Sequence, residues 1–135
     1  MAEENLAIAA SHKSWDCVRA HDKDGWLALM ADDVCMEDPI GVAPTNPDGK
    51  GIRGKEAISA FWDKNMAAAT IGIETHRSYA AGSESAHLMT LTTSFENGVQ
   101  MIVNGIFTYQ VDDDGKLTAL RGYWSLDESE IRQPS

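Results

Sequence analysis

Hydrophobic and polar positions change period part-way along the chain. Over residues 5–20 the small and apolar side chains recur at helical spacing, with Ala7, Ala10, Ser14, Cys17 and Val18 on one stripe. This predicts an amphipathic helix. A shorter helical run over 25–30 stops at the acidic pair Asp32-Asp33, and residues 34–37 read as a short strand. Helical spacing returns over 55–69, where Ala57, Ile58, Phe61, Trp62 and Met66 share a face. From Ile71 onward the period drops to two and β-branched residues gather, which predicts strands over 71–79, 87–95, 99–111 and 117–126.

Turn chemistry orders these elements. Asn97-Gly98 and Asp112-Asp113-Asp114-Gly115 each predict a hairpin, so the last three strands form an antiparallel meander. Between the short strand and the third helix, Pro39, Gly41, Pro44, Asn46, Pro47, Gly49, Gly51 and Gly54 predict a long loop. Helices first and a meander afterwards indicate an α+β domain spanning 1–135, three N-terminal helices packed on one face of a curved, mostly antiparallel sheet. Alternation is expected to set Leu120, Gly122 and Trp124 toward the helices with Leu88, Thr90, Thr92, Val103, Gly105, Phe107 and Tyr109. Met89, Leu91, Phe95, Ile102 and Ile106 would then form the opposite face. That face is too apolar for water, and a homodimer through it is expected.

Composition narrows the partners. With 21 acidic and 11 basic residues the formal charge is −10, which disfavours nucleic acid and anionic membrane surfaces. Neither the opening Met1-Ala2-Glu3-Glu4 nor any later stretch has the layout of a signal peptide or a membrane span. Cys17 and Cys35 are expected as reduced thiols in a cytoplasmic protein. His12, His21, His76 and His87 are dispersed, without metal-ligand spacing, and no phosphate loop, serine elbow or Cys-x-x-Cys occurs. No metal or cofactor is expected.

Candidate chemistry centres on Glu37-Asp38-Pro39, which carries a carboxylate from a helix-covered strand into the long loop. An Asx turn before proline accounts for Asp38 in bland terms. A general base at a pocket mouth is the alternative, since apolar surroundings raise a carboxylate's proton affinity.

Ordered motifs add to this: Ala31-Asp32-Asp33 leading to Glu37-Asp38-Pro39, then Gly54-Lys55-Glu56-Ala57-Ile58 with Ala60-Phe61, then Gly122-Tyr123-Trp124-Ser125. From about Ser14 to near the C-terminus the chain resembles the ketosteroid isomerases, within the nuclear transport factor 2-like or SnoaL-like superfamily. The resemblance implies a conical barrel around a cavity for a small, hydrophobic, polycyclic, steroid-like ligand, with Asp38 shuttling a proton between two carbons. It implies ligand contacts from Phe61 and Trp124. Ketosteroid isomerase is itself a standard example of an aspartate base working with an oxyanion hole of a tyrosine and a protonated aspartate. Gap-free counting places Ser14 at the tyrosine and Phe107 at the protonated aspartate. Substitute donors are Ser14, the indoles of Trp15 and Trp62, and the phenol of Tyr109, while Met30, Met66, Leu88, Val103 and Phe107 are expected to extend the lining. A steroid isomerase-like enzyme is the leading expectation. A non-catalytic steroid or lipid binder and a polyketide cyclase or dehydratase are the alternatives.

Overall fold

The computed structural model describes residues 5–134, so the opening residues 1–4 lie outside it. Helix α1 (Leu6–Arg19) starts where the Asn5 side chain accepts hydrogen bonds from the N–H groups of Ala7 and Ile8. Helix α2 (Lys23–Ala28) begins two residues earlier than the apolar spacing suggests, because Asp22 caps it by accepting from Gly25 N–H at 2.9 Å. Strand β1 (Met30–Glu37) is correspondingly longer than expected. Its pairing is irregular between Met30 and Cys35, where Asp32 and Asp33 are exposed and interrupt the alternation by which a strand is recognised. Strand β2 (Ile52–Arg53) and helix α3 (Lys55–Asn65) follow.

The remaining strands are β3 (Thr70–Ala81), β4 (Glu84–Ser94), β5 (Gln100–Val111), β6 (Leu117–Tyr123) and β7 (Glu130–Arg132). They complete one seven-stranded sheet in the order β2-β1-β6-β5-β4-β3, with β7 also on β5. Every pairing is antiparallel except β1 with β6. The architecture is the expected α+β arrangement of three helices on a mostly antiparallel sheet. Trp15 from α1, Trp26 from α2, and Ile58 and Trp62 from α3 meet Met89, Val103, Phe107, Leu117 and Leu120 of the sheet in the core. No helix among the described residues is long and apolar enough to cross a membrane.

One strand lies the other way up from the expected assignment. In β4 it is Ser85, His87 and Met89 that are buried, while Leu88 is 43% exposed. The cause is the turn. A two-residue Asn97-Gly98 hairpin would pair Glu96 with Val99, but the register pairs Ser94 with Gln100, and Phe95 N–H donates to Val99 O at 2.9 Å. Three residues therefore form the loop, with Gly98 at φ 86°, and a one-residue change in pairing reverses every side chain of a strand. Met89 and Leu91 thus move to the inner face, and Leu88, Thr90 and Thr92 to the outer. The β5 and β6 assignments stand, since Phe107 pairs with Gly122 and Tyr109 with Leu120.

Candidate functional site

Between the helices and the inner face of the sheet lies an apolar cavity with room for the centre of a water molecule over about 100 Å³, open at one mouth. Ser14, Trp15 and Val18 reach it from α1, Trp26 from α2, Phe61 from α3 and Met66 from just beyond. The sheet contributes Met36, Ile71, Ile73, Met89, Leu91, Phe107, Tyr109 and Leu120. Asp38 stands on the wall one residue beyond β1, so the strand delivers its carboxylate to an apolar space.

Three features hold Asp38 in place. Trp124 Nε1 donates to its Oδ1 at 2.6 Å. A Cβ added to Gly122 would lie 2.7 Å from Asp38 Oδ1 and 2.9 Å from Trp124 Nε1, so only glycine leaves room for that pair to meet over β6. The long loop folds back onto the backbone beside it: Thr45 Oγ1 donates to Asp38 O at 2.7 Å, and Asn46, fully buried, donates through Nδ2 to Pro39 O and accepts from Gly51 N–H. Burial raises the Asp38 pKa from its ordinary value, and the Trp124 hydrogen bond opposes that rise only in part. The carboxyl is thereby turned into a stronger proton acceptor than an aspartate in water.

Two further polar pairs stand on the wall: Trp15 Nε1 donates to the Tyr109 hydroxyl at 2.9 Å and Trp26 Nε1 donates to Ser14 Oγ at 3.0 Å. Burial raises the Tyr109 pKa above its ordinary 10, opposed by the Trp15 bond and reinforced by the negative charge of Asp38. His87 packs edge-on against Trp15, with ring centroids 4.9 Å apart, and is held between the Ser78 and Ser85 hydroxyls.

Of the residues singled out from sequence, Asp38, Ser14, Trp15, Phe61, Phe107 and Tyr109 come together on this cavity, and Met66 joins them. Trp124 touches Asp38 but does not line the space. Met30, Trp62, Val103 and Leu88 are corrections. Met30 and Val103 are buried in the core, and Trp62 packs against Trp26 at 5.1 Å between ring centroids. Leu88 is on the outer face because of the turn described above. Sequence reasoning missed Trp26, Met36, Met89, Leu91, Ile71 and Ile73. The correct hairpin length would have exposed Met89 and Leu91; nothing local distinguishes Trp26 from any other helix-face aromatic. Among the described residues, no group of three or more His, Cys, Asp or Glu side chains is gathered as a metal site.

Residues 12–120 match the SnoaL-like domain family. The chain belongs to this family. Within it, the fold superposes with TM-score 0.93 on the Δ5-3-ketosteroid isomerase from a Mycobacterium species, which is 46% identical over 96% of this chain and 100% of that one. RV0760c of Mycobacterium tuberculosis, solved in complex with estradiol-17β-hemisuccinate, is 47% identical with TM-score 0.91, covering 94% of this chain and 99% of that one. The steroid Δ-isomerase of Nocardioides simplex is 28% identical over 92% of this chain and 91% of its own length. This SnoaL-like chain is thus ketosteroid isomerase-like, and a homologue binds a steroid derivative.

Proposed function

We propose that the cavity binds a steroid or similar polycyclic ketone and that Asp38 isomerises it. The carboxylate removes a proton from a carbon beside the carbonyl, leaving an enolate, and returns the same proton to another carbon of the conjugated system. One double bond moves and no cofactor is consumed. The observation that carries this reading is a carboxyl of raised proton affinity on the wall of an apolar cavity, aimed by Trp124. A base of that kind suits a weak carbon acid. The two free thiols, Cys17 and Cys35, fit a cytoplasmic setting.

The test is to add a β,γ-unsaturated 3-ketosteroid and follow the absorbance of the conjugated product. Wild-type turnover, reduced about 10²–10⁴-fold in Asp38→Asn, is the expected result. A specific observation favours a second reading, a steroid carrier without turnover. Phe107 presents only an apolar ring to the cavity, at the position where the resemblance to ketosteroid isomerases implies a protonated aspartate. Tight binding with no product from either protein decides for the carrier, and no binding at all overturns both.

A further inference from the structure

Trp124 reaches Asp38 from a stretch of chain that the sheet holds only at its two ends. The β6 ladder on β5 ends with Tyr123 opposite Ile106, and β7 takes up β5 again with Glu130 opposite Ile102. Between those two pairs β5 covers about 13 Å, whereas the chain from Tyr123 to Glu130 would span roughly 23 Å if extended. The chain is slack, so tension does not place Trp124. A 3-10 turn (Leu126–Glu128) takes up the excess. It is closed by Glu128 N–H donating to Ser125 O at 3.2 Å and by the N–H and Oγ of Ser129, both donating to Leu126 O. Beyond β7, Pro134 lies against the turn between β4 and β5, where a Cβ on Gly98 would stand 3.0 Å from Pro134 Cβ.

Gly105 sets how closely this slack chain approaches β5. A Cβ built on Gly105 would lie 2.7 Å from Tyr123 O and 3.2 Å from Trp124 Cβ. Real side-chain carbons do not come that close to a backbone oxygen, so any other residue pushes the chain away at the step that carries Trp124. The indole N–H meets Asp38 Oδ1 at 2.6 Å, and a hydrogen bond tolerates only a small displacement of its donor. Gly105 itself pairs with Met89 in β4 and does not line the cavity. Neither does any residue of β7, whose side chains are all exposed.

Resting on the reading that Asp38 is the working carboxylate, we infer that residues 124–132 form a strap that holds the Trp124 indole on Asp38, with Gly105, Glu130 and Ile131 as positioning residues remote from the cavity. Burial and the Trp124 bond act on Asp38 in opposite directions. A loosened strap leaves burial unopposed, and the carboxyl then keeps its proton to higher pH. The other ionisable groups nearby do not mask this. Tyr109 of β5 holds its proton through burial, Arg121 of β6 is paired with Glu37 of β1, and the three helices send no ionisable side chain to the cavity.

The experiment titrates the Asp38 carboxyl by infrared spectroscopy, using the band that Asp38→Asn loses. Full-length wild type, Trp124→Phe, Gly105→Ala and Glu130→Pro/Ile131→Pro are compared. The paired prolines remove two successive N–H groups, one of which points at β5, so β7 detaches. All three variants are expected to move the titration to higher pH and to lower turnover on its acid side by about 10-fold. Gly105→Ala/Trp124→Phe should shift no further than Trp124→Phe alone, since both act through one bond. If Gly105→Ala loses its circular dichroism spectrum, the proline variant is read in its place, because β7 adds no side chain to the core. If that variant also unfolds, the strap is a folding element and the inference falls. A titration unchanged in either folded variant, or a Gly105→Ala shift that adds to that of Trp124→Phe, overturns it as well. The titration needs no substrate. A protein whose carboxyl responds as described but which isomerises no ketosteroid therefore overturns the proposed turnover and leaves the strap standing.

Discussion

Asp38 combines two opposed demands. A carboxylate that attracts protons must be kept from water, and its charged form then weighs against the folded state. The sign follows from the raised pKa. The unfolded chain ionises Asp38 near its ordinary 3.8, whereas the folded protein holds the proton to higher pH. Stability from this group is therefore intact below 3.8 and declines as pH rises until the folded carboxyl has also ionised. Asp38→Asn keeps an oxygen for the Trp124 N–H and removes the charge. It should raise the melting temperature at pH 7 while reducing turnover about 10²–10⁴-fold, and the gain should vanish below pH 3.8. Calorimetry across that range checks it; a melting temperature lowered at pH 7 would contradict the burial argument. The base form is the ionised one, so turnover should increase with pH through the raised pKa.

The elements around Asp38 show how local turn chemistry controls a distant wall. One additional residue in the turn after β4 decides that Met89 and Leu91, rather than Leu88, face the ligand space. The long loop between β1 and β2 is organised from within by Asn46, whose side chain ties Pro39 O to Gly51 N–H across the loop. Removing a buried amide leaves both backbone groups unpaired at about 1–3 kcal/mol each. Asn46→Ala should therefore lower the urea midpoint with an unchanged m-value, and should weaken turnover by loosening the backbone next to Asp38. Loop glycines and prolines announce a loop in the sequence. That a single asparagine would be its buried centre is visible only when the ends are brought together.

Across the whole molecule, one buried group and one surface have consequences beyond the cavity. His87 is buried, neutral and bonded to Ser78 and Ser85; burial, with a smaller contribution from His12, lowers its pKa from the ordinary 6.5 to about 4. Between those values the unfolded chain takes up a proton that the folded one refuses, so stability should fall as pH drops from about 6.5 through about 4. In His87→Gln, which retains a donor and an acceptor, the fall in melting temperature over that interval should be smaller. On the outer face, Leu88, Ile106 and Tyr123 are direct neighbours across β4, β5 and β6, each between 43% and 50% exposed. We propose that a second copy covers this row. Light scattering should then find a dimer, and Ile106→Glu should give a monomer that retains its circular dichroism spectrum; a wild-type monomer would remove the proposal.

Much of this was legible along the chain, because helix and strand periods, caps and turn residues depend on near neighbours. The three helices, the meander and a carboxylate at the end of β1 follow from such local rules, as does the apolar character of Phe61, Phe107 and Tyr109. What stayed hidden depends on contacts between residues far apart. The parallel pairing of β1 with β6, the short β7 strand on β5, and the orientation of β4 all turn on register, which one residue in a turn can reverse. The pairing of each cavity hydroxyl with an indole N–H is of the same kind, since Trp15 and Tyr109 are 94 residues apart. Sequence alone supplied the kinds of residue from which a cavity can be built; only the tertiary structure decided which of them line it, because that depends on strand register and on contacts between residues far apart.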